Sequence, residues 1–316
     1  MKLAVVIPAY NEEKTIGKVI REVPRRMAGI EKVEVIVIDD GSIDGTASEA
    51  LKAGADRVIK HKMNSGLAAS FRDGLDAALG DGADVIVNTD ADFQYNQKEI
   101  PKLIKPILNG ESDFVLGYRD VWGLEHMPLS KKIGNTLATA LISSLVGFGL
   151  KDAQSGFRAF SREAALHLNV LSDYTYVQET IMQLLFNKNK VAQVPCEFRA
   201  REGRSRLISN IGSYAKRAGA TILRTYVQYK PLRTFFLIGL FMILLGLVVG
   251  LRVLIHYLTT GMVSPYIPSA VLTAILLILG FQVMVMGLLA DSINASRRIN
   301  EECLYRIKKI KWDKTD

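Results

Sequence analysis

The sequence predicts an α/β protein with a mainly parallel, doubly wound sheet and helices on both faces, followed by two membrane-spanning helices. Three observations carry this. Short β-branched runs alternate with helical stretches through roughly the first ninety residues. Successive runs end in acid-rich, Gly-rich or Tyr-Asn-Glu loops, and open α/β sheets bind ligands beyond the carboxyl ends of their strands. Near Leu232 the composition changes: Thr234–Leu251 and Val253–Ala290 contain no Asp, Glu, Lys or Arg.

Lys2–Ile7 reads as the first strand, too short and too quickly followed by Asn-Glu-Glu to be a leader peptide. Glu12 opens a helix through about Glu22, its acids suited to the positive end of the helix dipole. Val33–Ile38 is the second strand and runs into Asp39-Asp-Gly-Ser-Ile-Asp-Gly-Thr46, after which a helix reaches about Ala53. Asp56–Lys60 is a short third strand. Asn64 begins a helix to about Leu79, and Val85–Asn88 is a buried strand. Farther on, Leu137–Phe148 and Leu207–Tyr229 read as helices with cations near their apolar faces. They suit a membrane interface, with simple core helices as the alternative. Gly261–Pro268 breaks the second uncharged run, which leaves spans of about 234–256 and 267–290. Arg252 lies near the far end of the first span, where it can snorkel outward.

The net charge of +8 suits an anionic membrane surface or a phosphorylated substrate. Nucleic acid is excluded by the two spans and by the isolation of Trp122 and Trp312, which make no stacking platform. Cys196 and Cys303 form neither a disulfide framework nor a metal spacing and fit a reducing compartment. His61, His126, His167 and His256 are scattered without ligand spacing and read as incidental.

The chemistry concentrates at Asp90-Ala91-Asp92, directly after the buried strand. Two carboxylates at i and i+2 can share a hard divalent cation, and Mg²⁺ is typically held by one or two carboxylates plus substrate phosphates. The same tripeptide alone also describes a solvated turn. No Gly-x-Gly-x-x-Gly follows the first strand and no Walker loop occurs anywhere, so a nucleotide would be held by other means. An aspartate at the end of the second strand can accept from a base or a ribose hydroxyl, or can cap a turn.

Six motifs occur in order: Val-Ile-Pro-Ala-Tyr-Asn-Glu (6–12), Asp-Asp-Gly-Ser-Ile-Asp-Gly-Thr (39–46), Asn-Ser-Gly-Leu (64–67), Asp-Ala-Asp-Phe-Gln (90–94), Val-Leu-Gly-Tyr-Arg (115–119) and Gln-Ser-Gly-Phe-Arg-Ala-Phe (154–160). Together they resemble the family 2 glycosyltransferases of GT-A fold, within them the polyprenyl-phosphate sugar synthases typified by dolichyl-phosphate mannose synthase. The resemblance covers about residues 3–230. Ile43, where a small polar residue is usual, and Tyr95-Asn-Gln97, where His-Pro is common, depart from the pattern. The resemblance implies that Pro8, Tyr10, Glu12 and Asp40 line the nucleoside pocket. It implies that Asp90, Ala91, Asp92 and Gln94 surround Mg²⁺ or Mn²⁺ and the donor diphosphate. Arg119 would lie near the acceptor phosphate, with Lys131 and Lys132 presented to it as well. Arg201 and Arg206 would close over the diphosphate, with Arg199 and Arg204 as alternatives; the same basic run is also a positive-inside signal. Glu179 sits where related sugar polymerases place a catalytic acid, and is equally an ordinary helix acid.

The expected organisation is a cytoplasmic catalytic domain (1–205), a juxtamembrane amphipathic helix (206–231), two spans within 232–291 and a basic cytoplasmic tail (292–316). The expected activity is inverting, metal-dependent transfer from GDP-mannose or a UDP-hexose to dolichyl or undecaprenyl phosphate at the cytoplasmic membrane face. Such an enzyme works beside a separate flippase or downstream glycosyltransferase, and the reading leaves room for a homo-oligomer. One rival is a processive polysaccharide synthase, against which stands the absence of Gln-x-x-Arg-Trp. The other is a non-catalytic membrane adaptor, against which stand the retained acidic and basic motifs.

Overall fold

A computed structural model describes residues 1–125, 127–171, 176–200 and 211–312, without the side chains of 211–218. The chain divides into two compact units, Met1–Leu223 with Cys303–Asp316, and Arg224–Glu302. The first unit holds a sheet of β1 (Lys2–Ala9), β2 (Lys32–Asp39), β3 (Arg57–Lys60), β4 (Val85–Asn88), β5 (Phe114–Tyr118), β6 (Arg158–Ser161) and β7 (Val191–Pro195). Their order is β3-β2-β1-β4-β6-β5-β7. Parallel pairs join β1 to β2 and β4, β2 to β3, and β5 to β7, while β6 runs antiparallel to both β4 and β5. The sheet is thus mainly parallel, as the alternation of strands and helices predicts, with one reversed strand set into it.

The central strands read as continuous apolar runs because both faces are covered. Leu3, Val5 and Ile7 of β1 pack with Ile16, Val19 and Ile20 of α1 (Ile16–Glu22) and with Leu103 and Ile104 of α4 (Ile100–Leu108). On the other face α3 (Leu67–Gly80) presses close: a Cβ added at Gly74 would run into Cγ1 of Val6. Full burial of each such aliphatic side chain contributes about 1.5–3 kcal/mol.

Two helices begin later than their sequences predict, each after a loop segment tied to another loop. Asn11 N and Glu12 N donate to Ser42 Oγ (2.9 Å) and Thr46 Oγ1 (2.8 Å), and α1 starts at Ile16 rather than Glu12. Ser65 N and Gly66 N donate to Asp40, and α3 starts at Leu67 rather than Asn64. Between β2 and β3 lies α2 (Thr46–Lys52). Farther along come α5 (Leu129–Val146), α6 (Arg162–His167), α7 (Val177–Phe186) and α8 (Ile211–Tyr229). Pro128 precedes α5, and Gly147 ends it at φ 71°, a left-handed geometry that suits glycine.

The second unit contains α9 (Pro231–Thr260) and most of α10 (Ile267–Lys311), both long and apolar enough to cross a membrane. Their contact runs through glycines: a Cβ at Gly239 would lie 2.6 Å from the carbonyl oxygen of Gly280, and one at Gly280 would lie 2.7 Å from Cγ1 of Ile243. Small residues let two helices approach backbone to backbone where lipid removes the hydrophobic drive to associate. Large side chains such as Phe241, Leu247, Leu258, Phe281 and Leu288 stay exposed around that seam.

Candidate active site

The parallel register puts the carboxyl ends of β2, β1 and β4 side by side, with Ala9 opposite Asp39 and Val6 opposite Asn88. Everything that follows these strands faces one edge of the sheet. Pro8 and Ala9 end β1 buried, and Tyr10 then turns outward. Glu12 is held at the mouth of the first loop, where its Oε2 accepts from Thr15 Oγ1 at 2.9 Å.

Asp39 and Asp40 are both buried at the end of β2. Asp39 Oδ1 accepts from Ser42 N at 3.0 Å, and Lys60 Nζ stands 3.8 Å from its Oδ2. Asp40 Oδ1 accepts from Ser65 N at 2.8 Å and lies 2.8 Å from His61 Nδ1, while Oδ2 accepts from Gly66 N at 2.9 Å. On the far side of the ring, His61 Nε2 lies 2.9 Å from Asp73 Oδ2. The histidine taken from its sequence as incidental is thus bonded at both nitrogens.

After β4 the chain turns through Asp90, Ala91 and Asp92, and Phe93 takes a left-handed φ of 62°. Gln94 N donates to Asp92 Oδ1 at 3.2 Å, which closes the turn and orients that carboxylate. A Cβ added at Gly156 would lie 3.0 Å from both carboxylate oxygens of Asp90, so the bare glycine leaves that side chain its room. Tyr95 is buried beneath, and its hydroxyl accepts from Gly156 N at 2.9 Å. Burial pushes the Tyr95 phenol well above its ordinary pKa. Oxygen donors in this arrangement fit a hard divalent cation. Among the described residues no three His, Cys, Asp or Glu side chains are arranged to hold a metal ion, so a cation here would draw its other ligands from phosphate and water.

Arg119, just past β5, is turned onto Asp152: Nε lies 2.6 Å from Oδ2 and Nη2 lies 3.1 Å from Oδ1. Asn135 of α5 and the backbone of Gln154 also donate to Asp152 Oδ1. Burial alone would raise the Asp152 carboxyl, but the Arg119 guanidinium outweighs it and holds the group below the usual carboxylate range. Lys131 and Lys132 occupy the first turn of α5, and Lys132 Nζ donates to Trp122 O at 3.0 Å. Leu129, Ile133, Leu137 and Leu141 recur every fourth residue along α5 and are all exposed, an apolar stripe with those lysines at its head.

Gln94 meets Arg199 through the backbone, Arg199 N donating to Gln94 O at 2.8 Å. The Arg199 guanidinium engages both carboxylate oxygens of Glu22 and covers the Phe93 ring. Arg201, Arg204 and Arg206 lie outside the described residues. Glu179 is buried on α7, where its Oε1 accepts from Leu171 N at 2.9 Å and Gln183 Nε2 at 3.2 Å.

Sequence reading missed Asp152, His61 and Arg158. Arg158 is wholly buried, donating to Ser155 O, Val177 O and Thr180 Oγ1, and burial pulls it down to about 10. Its place inside the Gln-Ser-Gly-Phe-Arg motif was the available signal. Asp152 and His61 carried none, because each is defined by a partner distant in the chain.

The glycosyl transferase family 2 model matches residues 4–168, and the GtrB C-terminal hairpin model matches residues 230–296. A dolichyl-phosphate hexose transferase of Haloferax volcanii is 32% identical over 228 residues, 72% of this chain and 95% of the relative. A UDP-N-acetylglucosamine–dolichyl-phosphate N-acetylglucosaminyltransferase of Methanococcus voltae is 34% identical, covering 60% of this chain and 82% of its own. Among solved structures, glucosyl-3-phosphoglycerate synthase of Mycobacterium tuberculosis with Mn²⁺, UDP and glucosyl-3-phosphoglycerate superposes with a TM-score of 0.58. That match is 26% identical and covers 71% of this chain and 79% of the neighbour.

Proposed function

The chain belongs to glycosyl transferase family 2, and from that premise we propose that it transfers a sugar from a nucleotide-diphosphate donor to a polyprenyl phosphate, with inversion at the anomeric carbon. The observation that carries this reading is the placement of Asp40 after β2 and of Asp90 and Asp92 after β4, the two strands that flank β1, at one edge of the sheet. Relatives named for dolichyl-phosphate transfer support the acceptor class. GDP-mannose and UDP-hexoses are the candidate donors, and dolichyl or undecaprenyl phosphate the acceptors.

Pro8, Tyr10, Glu12 and Asp40 would enclose the nucleoside. Asp90 and Asp92, with Gln94 alongside, would hold Mg²⁺ or Mn²⁺, which when bound offsets the charge gathering on the departing diphosphate. Arg201 and Arg206 would share that task with fixed cations aimed at the same oxygens. Arg119, its Nε and Nη2 fixed by Asp152, would turn its remaining face to the acceptor phosphate, with Lys131 and Lys132 beside it. An acceptor phosphate has a second pKa of about 6 and is mostly dianionic near neutral pH. It attacks without losing a proton, so the site needs cations that hold the anion in line rather than a general base. Glu179, occupied by Leu171 N and Gln183 Nε2, suits this base-free account. The exposed leucine stripe of α5 would rest in the membrane interface, which brings Lys131 and Lys132 to the headgroup level.

A panel of radiolabelled nucleotide sugars, assayed with polyprenyl phosphate and Mg²⁺ or Mn²⁺, tests the reading. One donor should label the lipid, EDTA should stop transfer, and Asp92→Asn should slow it about 10²–10³-fold. Full activity in the Asn variant would remove the metal role, and failure of every donor would favour a non-catalytic adaptor.

A further inference from the structure

Asp40 is a carboxylate with little freedom left. A carboxylate offers about four lone-pair directions, two on each oxygen. Among the described residues Oδ1 faces two donors, Ser65 N at 2.8 Å and His61 Nδ1 at 2.8 Å. Oδ2 faces one, Gly66 N at 2.9 Å. The direction that remains for a ligand is therefore on Oδ2.

His61 is what makes the two oxygens unequal. Its backbone N donates to Asp39 O at 2.9 Å, so its position is tied to the end of β2. Its ring is oriented from the opposite side by Asp73 of α3, at 2.9 Å from Nε2. Both ring partners are carboxylate oxygens, and together they fix the plane of the ring with Nδ1 against Asp40. The side chain is only 11% exposed, so solvent does not readily substitute for it. A histidine held at both ring nitrogens sets the orientation of the group it touches.

We propose that His61 is a positioning and specificity-determining residue for the donor base: by filling Oδ1 of Asp40 it leaves a single acceptor direction, which suits a base with one ring N–H and disfavours one with an adjacent pair. Uracil presents one such N–H between two carbonyls. Guanine presents a ring N–H beside an amino group, and that pair is best met by a carboxylate with both oxygens available. The inference rests on the reading of Asp40 as a nucleoside contact and goes beyond it, to the choice between uridine and guanosine donors.

Calorimetric titration of the full-length protein in detergent with UDP and with GDP, both in Mg²⁺, tests it. The wild type should bind UDP at least about tenfold more tightly than GDP, a difference of about 1.4 kcal/mol. His61→Ala should narrow the gap to about threefold or less, by weakening UDP and relieving GDP. His61→Gln, which retains an amide donor toward Asp40, should keep most of the gap and guards against a general loss of fold. In turnover the effect should fall on donor KM, with kcat changing less than about twofold and acceptor KM unmoved. Equal affinities in the wild type, or an unchanged gap in His61→Ala, would overturn the proposal. Asp40→Asn separates the two levels. If it leaves both nucleotides binding as in the wild type, the nucleoside pocket itself is misassigned. If it abolishes binding while His61→Ala keeps the full gap, only the role of His61 fails.

Discussion

The Arg119–Asp152 pair is the most heavily buried ion pair near the site, with side chains 10% and 0% exposed. Removing one partner from such a pair leaves an uncompensated buried charge, at a cost of about 3–5 kcal/mol. Asp152→Asn should therefore destabilise the first unit by about that amount in urea unfolding, and Arg119 should lose its fixed orientation. Burial would lower the Arg119 guanidinium, but the Asp152 charge outweighs it and raises the group above its usual value, so Arg119 does not titrate in any working range. The pH dependence falls on Asp152. Its folded pKa lies below the unfolded value of about 3.9, so its contribution is complete above that value and disappears as pH falls through the folded one. Wild-type stability from this pair should be flat between about pH 5 and 8 and decline below about 4, and Asp152→Asn should lose part of that acid-side slope. An Asn variant as stable as the wild type, with the same acid limb, would show that the pair adds nothing to folding.

At the scale of elements, residues 303–311 of α10, with Trp312 just after them, have a use that charge alone does not reveal. From the sequence, the Arg306–Lys311 cluster is a topology signal. In the first unit this stretch packs against α3 and α6. His167 stacks on Tyr305 with ring centroids 4.0 Å apart, Tyr305 OH donates to Glu163 Oε2 at 2.9 Å, and Lys308 Nζ donates to Leu168 O at 2.7 Å. Arg162 Nη2 donates to Trp312 O, and the Trp312 ring covers Gly80 so closely that a Cβ there would lie 2.6 Å from it. Trp312→Ala should loosen this strap by about 1.4 kcal/mol, raising the rate of tryptic cleavage at Lys308, Lys309 and Lys311 about tenfold. Cleavage at the wild-type rate would mean that the ring contributes nothing to holding it. The contrast with the sheet is instructive. The strands β1, β2 and β4 were legible because burial on both faces writes an unbroken β-branched run into the sequence. The late starts of α1 and α3, the reversed β6 and the docked strap were not. Each depends on a donor, acceptor or surface supplied by a segment far away, such as Asp40 taking the amides of Ser65 and Gly66. The candidate site divides the same way. Asp90 and Asp92 are candidates by their spacing and motif, whereas His61 gains its meaning only from Asp40 and Asp73.

For the whole molecule, the distribution of charge along the hairpin bears on which way it sits in the membrane. At about 1.5 Å per residue, the 30 residues of α9 extend roughly 45 Å, more than the ~30 Å hydrocarbon core. Lysine and arginine cluster at one end of the hairpin: Arg224 and Lys230 before α9, Arg233 in its first turn, and Arg297, Arg298, Arg306, Lys308, Lys309 and Lys311 late in α10. The connection between the helices, Gly261–Tyr266, has neither residue type. The positive-inside rule would turn the sugar-transferring unit and residues 303–312 toward the cytoplasm and leave the connection outside. A nucleotide-sugar donor would be met in the cytoplasm, and the lipid phosphate would be taken from the adjoining leaflet. The hairpin would then anchor the enzyme rather than carry sugar across. Its helices close on one another through glycine, and between Thr234 and Ala290 their one charged side chain is Arg252, whose guanidinium covers the Tyr266 ring. Moving the glycosylated lipid to the outer leaflet would fall to a separate flippase. Cysteine labelling decides the orientation. With Cys196 and Cys303 replaced by serine, Ser264→Cys should react with a membrane-impermeant maleimide in intact cells. Ser48→Cys, on the exposed side of α2, should react only after lysis. The reverse pattern would place the catalytic crevice outside, away from cytoplasmic nucleotide sugars, and would overturn the donor class together with the topology.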